Sequence, residues 1–371
     1  MNLNQVNWFP SEKPIYDINK SWEENLEKGP FVSDKYKVLE RNWKSKDQWI
    51  DFLGHKVASP LGVPAGPLLN SAWIKFAAEA GFDVVTYKTI RSNPYSGHPV
   101  PNVLYIDVPQ GQLNKSESGG TLHATTQMPG DIEQLAITNS FGMPSKDRAY
   151  LLEDIKKAQS YLADGQLMIV SITGTAANAS DFIQDFLDVA NIALDAGAKV
   201  IEVNYSCPNV CTGEGQIYNN PDEVYKISKA LVDILQPKGV PLIIKVGVME
   251  DRELMTKLFR RAEEAGVAAI AGINTMSMKI TDSKTGAPSL GENRLTSGVC
   301  GAPIRSAALD WVRNARSIVN DNKLNLKLLG CGGVVLPEHF DDFLEQGVDI
   351  AMSATGLMWD PYIAMKWHNK L

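Results

Sequence analysis

The residues able to do chemistry stand in short stretches that each follow an apolar run. Cys207 lies in Asn204-Tyr205-Ser206-Cys207-Pro208-Asn209, at the end of the run Val200–Tyr205. A free thiol has a pKa of about 8.5, and a polar or cationic setting lowers it toward that of a general base. Pro208 cannot donate to a strand ladder, so it ends the run and fixes a turn. An inert buried thiol is the competing reading for any single cysteine. Cys211 lies close by, but no second Cys/His pair stands near them at zinc spacing. Four clustered thiolates for an iron–sulfur centre are also missing from the sequence.

Lys88 in Tyr87-Lys88-Thr89 and Lys245 in Ile243-Ile244-Lys245-Val246-Gly247 sit within apolar runs. A lysine there is rarely left unpaired. Its partner is either a core carboxylate or a bound ring, such as a flavin, that becomes anionic on reduction. Gly332-Gly333 and Ala354-Thr355 follow the last two apolar runs, where backbone N–H groups can approach phosphate oxygens. Alone, a glycine pair reads equally as a tight turn. Asn139, Asn204, Asn209 and Asn274 offer amides that both donate and accept. Such a set matches a flat heterocycle with alternating N–H and C=O groups, although each asparagine singly suits a turn.

These stretches need elements to carry them. Eight apolar runs recur: Val57–Ala65, Phe82–Thr89, Leu167–Gly174, Val200–Tyr205, Leu242–Val248, Ala268–Asn274, Leu326–Cys331 and Asp349–Ser353. Helical patterns lie between them, at Ala176–Ala196, Pro221–Leu235, Asp251–Ala265, Pro303–Val319 and Pro337–Gln346. Strands alternating with helices predict a parallel sheet, and near-continuous apolar strands predict burial on both faces. Eight repeats predict an α/β fold, a (β/α)8 TIM barrel, over an open doubly wound sheet. In a barrel the polar strand ends converge on one mouth, the strongest pointer to a site.

Residues 1–55 read as an extension packing on a barrel domain of residues 56–371. Two polar, Gly-rich stretches, from Pro94 to about Pro144 and from Met276 to about Thr296, follow strand ends. They read as lids or substrate loops, or as variable decoration at the same face.

Composition narrows the partners. The net charge is −7, and an acidic chain argues against nucleic acid or an anionic membrane surface. Four scattered cysteines fit a reducing compartment rather than a disulfide scaffold. No stretch approaches the roughly 18 apolar residues of a membrane span. The N-terminus lacks the features of a signal or transit peptide, so the cytoplasm is expected.

Taken together, these residues resemble the dihydroorotate dehydrogenases, especially the soluble class 1 enzymes. The resemblance runs from about Phe52 to the C-terminus. Its most specific element is Asn204 to Asn209, similar to the family's N-x-S-C-P-N loop, where the cysteine takes the C5 proton of dihydroorotate. Class 2 enzymes, which are membrane-bound, carry serine there. Asn139-Ser140-Phe141-Gly142-Met143-Pro144 is similar to the orotate-binding segment. The resemblance implies FMN as cofactor. Ala65, Gly66, Lys88, Thr89, Asn139, Thr175, Asn204, Lys245, Val246 and Thr275 fall on flavin positions. Gly301, Gly332, Gly333, Ala354 and Thr355 fall on the phosphate cradle. Lys88, Asn139, Phe141, Gly142, Met143, Asn204, Asn209 and Asn274 fall on substrate positions, with Lys88 and Cys207 catalytic.

Thr175, Ala354, Cys211 and the long insertions depart from the family pattern. The implied acceptor is fumarate, or NAD through a partner subunit, since no G-x-G-x-x-G fingerprint follows a first strand. A homodimer is implied by resemblance alone. Nearby alternatives keep the barrel and FMN but change the substrate, as in dihydropyrimidine dehydrogenase and the tRNA-binding dihydrouridine synthases. A non-catalytic flavin-binding barrel is the alternative from another class. The joint presence of Cys207, Lys88 and four asparagines argues against it.

Overall fold

The computed structural model describes residues 8–175, 179–206 and 216–369. In chain order, helix α1 (Trp22–Lys28) precedes a hairpin of strands β1 (Ile50–Phe52) and β2 (His55–Val57). Strand β3 (Leu61–Val63), helix α2 (Ser71–Glu79) and strand β4 (Val84–Ile90) begin the repeating pattern. The first insertion holds β5 (Tyr105–Asp107), β6 (Thr121–Thr125) and β7 (Ala136–Asn139). The pattern resumes with α3 (Arg148–Ser160), β8 (Leu167–Ile172), α4 (Ala179–Asp195), β9 (Ile201–Asn204), α5 (Pro221–Leu235) and β10 (Leu242–Lys245). Next come α6 (Arg252–Glu264) and β11 (Ala269–Gly272), then the second insertion with β12 (Met276–Thr281) and β13 (Thr296–Gly301). Helix α7 (Arg305–Asp321), β14 (Lys327–Cys331), α8 (Glu338–Glu345), β15 (Ile350–Met352), α9 (Thr355–Trp359) and α10 (Ile363–His368) complete the chain.

Strands β3, β4, β8, β9, β10, β11, β14 and β15 pair in parallel in that order, and β15 returns to β3. The eight apolar runs are therefore the eight staves of the expected closed barrel. Every residue of β4, β8 and β10 is buried, as strands covered on both faces require. The helices start where the sequence provides caps. Asn220 accepts from the Glu223 N–H ahead of Pro221, and Asp251 accepts from Glu253 and Leu254.

The floor of the barrel is plugged. Phe52 and Val57 of the hairpin pack with Val84, Leu167, Ile243 and Ala269, which lie at or near the starts of their strands. The hairpin straddles residue 55, the expected boundary of the extension. Upstream, Ser21 and Glu24 form a capping box on α1. Ile15, Tyr16, Trp22 and Leu26 join the main core. Arg41 clamps Asp83 with two bonds of 2.7 Å.

The insertions correct the sequence reading. Rather than loops, they supply β5, β6, β7, β12 and β13, which close into a second, five-stranded barrel. These strands are short, and several alternate buried with exposed residues, so no apolar run announces them. Their pairing also joins the two insertions, with Thr121 opposite Lys279. Among the described residues, no helix is long and apolar enough to cross a membrane.

Candidate active site

The ends of the barrel strands and one side of the small barrel enclose a cavity of about 370 Å3. This lies within the roughly 300–1,000 Å3 typical of ligand pockets. Following β3, Ala65 and Gly66 line it. Gly66 has φ +146°, and a Cβ added there would meet no atom within 4 Å, so its backbone faces open space. From β4 come Lys88 and Thr89, both buried. The Lys88 N–H donates to Leu68 O at 2.9 Å, which fixes the strand end against the preceding turn.

Strand β9 contributes Glu202 and Asn204, followed by Ser206. Asn204 Oδ1 accepts from the Ser206 N–H at 3.0 Å and from Asn274 Nδ2 at 3.3 Å. Asn274 in turn accepts from the Thr275 N–H at 3.0 Å. The two asparagine amides are therefore oriented by each other and by local turns. Lys245 lines the cavity from β10, and Asn274 and Thr275 from the segment after β11.

The remaining wall comes from β14, β15 and the small barrel. Gly332, Gly333, Ala354 and Thr355 line it, as does Gly301 at the end of β13. Gly333 has φ +76°, and an added Cβ would come within 2.5 Å of Arg305 Cβ, so only glycine fits. Asn139 ends β7 and opens the segment Ser140, Phe141, Gly142 and Met143, all on the cavity wall. Met143 holds φ +59°, a left-handed conformation that residues other than glycine seldom adopt.

Most of the residues singled out from sequence thus meet at one cavity. Thr175 and Val246 do not line it. The Thr175 N–H donates to the Asp185 carboxylate. The Val246 N–H and C=O are taken up by Ala271 and Asn274. Cys207 and Asn209 lie outside the described residues, as does Cys211.

Sequence reasoning missed Glu202. It is fully buried; Oε1 accepts from Ser171 Oγ at 3.1 Å, while Oε2 has no partner among the described residues. A glutamate inside the apolar strand Ile201–Asn204 is the same signal that marked Lys88 and Lys245. The neighbouring Ser171 hydroxyl lies 3.0 Å from Thr89 Oγ1, so a polar thread crosses β4, β8 and β9 under the cavity. Tyr16 and Trp22, from the N-terminal segment, also line the cavity and were not foreseen.

Comparison with known proteins agrees with this geometry. Residues 126–371 match the family model described as dihydroorotate dehydrogenase. A dihydroorotate dehydrogenase of Dictyostelium discoideum is 68% identical over 363 residues, 97% of this chain and 98% of that protein. A dihydroorotate dehydrogenase A (fumarate) of Limosilactobacillus reuteri is 28% identical over 192 residues, 51% of this chain and 59% of that protein. The crystal structure of DHODH from Eimeria tenella in complex with ferulenol superposes with a TM-score of 0.65 at 16% identity. That superposition covers 89% of this chain and 85% of the other, and it shows the shared fold. A family match across well over half of the chain, joined to a near full-length relative, makes this protein a member of the dihydroorotate dehydrogenase family.

Proposed function

We propose that this chain oxidises dihydroorotate to orotate with FMN as cofactor and Cys207 as the base. One observation carries the reading: two buried lysines and Asn139, Asn204 and Asn274 line one cavity in a chain of this family.

The residues present fit FMN. Gly66 leaves open space at the cavity wall, and Gly332 and Gly333 turn their backbone at positive φ, as an anion cradle requires. Lys245 has three N–H donors and uses one on Cys331 Sγ, leaving donors for an acceptor above it. Ala65, Gly66, Thr89, Lys245 and Thr275 would hold the ring system. Gly301, Gly332, Gly333, Ala354 and Thr355 would hold the phosphate. Bound there, FMN supplies the acceptor for the hydride from substrate C6.

The chain's own residues supply the rest. Asn139, Asn204, Asn209 and Asn274 pair with the N–H and C=O groups of the pyrimidine and fix its orientation. The backbone of Phe141, Gly142 and Met143 closes over it. Lys88 offsets the substrate carboxylate. Cys207 takes the proton from C5. Ser206 and Gln216, on either side of residues 207–215 in sequence, both line the cavity, which supports that role.

In this reading residues 56–371 form the catalytic unit and residues 1–55 an extension packed on it. The enzyme is of the cytoplasmic class 1 type, a homodimer that passes electrons to fumarate or to a partner subunit. Relatives at 27–28% identity carry the names of both a fumarate and an NAD(+) enzyme. Anaerobic titration with dihydroorotate tests the reading. Bleaching of the visible flavin band at near-stoichiometric substrate supports it, and a yellow protein that keeps its colour overturns the substrate. Return of the colour on adding fumarate then assigns fumarate as acceptor, and a flavin that fumarate leaves bleached points to a partner subunit.

A further inference from the structure

The turn that the functional reading gives to the phosphate has little regular structure of its own. Gly332 and Gly333 hold φ +130° and +76° at the end of β14, and residues 334–337 run on to α8 outside any strand or helix. Gly332, Gly333 and Val334 line the cavity. Backbone N–H groups in such a turn bind an anion only while their convergence is held.

Two side chains hold this segment from behind. Ser353 Oγ donates to Val334 O at 2.7 Å. His339, in the first turn of α8 and 3% exposed, turns its ring back onto the next two residues. Its Nδ1 accepts from the Val335 and Leu336 N–H groups, each at 3.3 Å. The ring does not line the cavity, so it acts on whatever binds there only through the chain that it holds. On the far side, Arg305 abuts Gly333 and pairs with Asp342 at 2.9 Å.

Acceptance at Nδ1 fixes the tautomer. Nδ1 carries no proton, and the ring hydrogen sits on Nε2, 3.5 Å from Glu133 Oε1. Four charged groups face the ring: Glu133 from the turn Ile132–Gln134, Arg305 from the start of α7, and Asp342 and Glu338 from α8 itself. Burial, aided by the Arg305 charge, outweighs the three carboxylates and lowers the ring's pKa from 6.5. At neutral pH the accepting form is therefore the populated one. A proton on Nδ1 would face two N–H donors and end both bonds.

We propose that His339 is a positioning residue for the cofactor phosphate: through Val335 and Leu336 it fixes the Gly332-Gly333 turn that would receive that group. The assignment rests on the functional reading above, which gives this turn to FMN. The flavin ring system would be held from other strands, so His339 acts on the phosphate and not on the ring.

The test compares FMN with riboflavin, which lacks the phosphate. Full-length protein is freed of flavin, and each flavin is titrated back while its fluorescence is followed. His339→Phe keeps a ring in the buried site but offers no acceptor. It should bind FMN about tenfold more weakly, as expected for lost hydrogen bonds to two backbone donors, with riboflavin affinity unchanged. His339→Asn sets an amide oxygen near the Nδ1 position and should restore FMN affinity. Asparagine does not titrate, so below pH 6.5 the wild type should lose FMN affinity more steeply than His339→Asn. A phosphate monoester titrates at about pH 6 in either protein, so the difference between the two profiles reports the ring. A His339→Phe variant that keeps the wild-type preference for FMN over riboflavin would overturn the inference, and so would equal losses for both flavins. If His339→Phe does not fold, the two pH profiles decide, and parallel profiles overturn it. Wild-type protein with no preference for FMN over riboflavin would instead overturn the phosphate cradle of the functional reading, and this assignment with it.

Discussion

Lys245 Nζ donates to Cys331 Sγ at 3.1 Å, and the same sulfur donates to Ile273 O at 2.8 Å. A buried ammonium is thus seated on a thiol at the cavity floor, with the Glu202 carboxylate nearby. Burial works against the Lys245 charge, but the Cys331 sulfur and Glu202 together hold its pKa above the ordinary lysine value. Burial likewise raises the Glu202 carboxyl, partly offset by the Lys245 charge and the Ser171 hydroxyl. The cluster sets the charge on the wall of the cavity that would hold the flavin.

Replacing Glu202 with Gln should make the FMN easier to reduce. The substitution removes an ionisable carboxyl beside the Lys245 cation, and an unchanged potential would mean that burial already keeps that carboxyl protonated. Reduced flavin carries extra negative charge, so its reduction potential should rise by about 30 mV, equal to about 1.4 kcal/mol for a two-electron couple. Redox titration of the bound flavin against reference dyes reads this directly. A fall in potential would mean that Lys245 has lost its proton, and the charge argument would be wrong.

Cys207→Ser should leave FMN binding intact and slow flavin reduction by dihydroorotate about 10²–10⁴-fold at neutral pH. A serine hydroxyl has no basic form available there. The reductive half-reaction in a stopped-flow instrument isolates the step, and its rate should recover partly as pH rises. A wild-type rate in the serine variant would remove Cys207 from the mechanism.

Legibility followed from burial. The barrel strands are largely apolar and buried, so all eight were readable as runs, and Asn220-Pro221 marked the start of α5 to the residue. The polar strand ends were readable because a closed barrel sends them to one mouth. The small barrel was not readable. Its strands are three to six residues long, and Thr121 finds its partner Lys279 across more than a third of the sequence. Tyr16 and Trp22 reach the cavity only because an anchored segment folds over α2, a tertiary fact with no local pattern. Glu202 was within reach: a charge in an apolar strand stood beside Asn204 and went unweighed.

Arg41→Ala should destabilise the fold by about 3–5 kcal/mol. The Arg41 and Asp83 side chains are 7% and 0% exposed, and the pair is bidentate. Burial raises the Asp83 carboxyl, and Arg41 is the main group opposing it. Removing only the arginine leaves a buried carboxylate uncompensated, whereas Arg41→Met with Asp83→Asn should recover much of the loss. Urea unfolding of the single and double variants measures the difference. Equal stabilities for wild type and Arg41→Ala would show that the clamp contributes nothing.

His368 should make the protein acid-sensitive over a defined window. Burial, with a smaller contribution from the Arg41 charge, lowers its pKa from 6.5 to about 4. The neutral ring donates Nε2–H to Gly81 O at 2.8 Å, joining the last helix to the turn before β4. With the folded pKa below the unfolded one, the unfolded chain binds the proton more readily. The stabilisation is therefore complete above pH 6.5 and drains away as pH falls toward 4. The loss over that span should be about 2–3 kcal/mol. His368→Gln keeps an amide donor for Gly81 and removes the titration, so its stability should change less across the window. Melting temperatures of both proteins at several pH values decide the matter. Parallel profiles would mean that other groups carry the acid response.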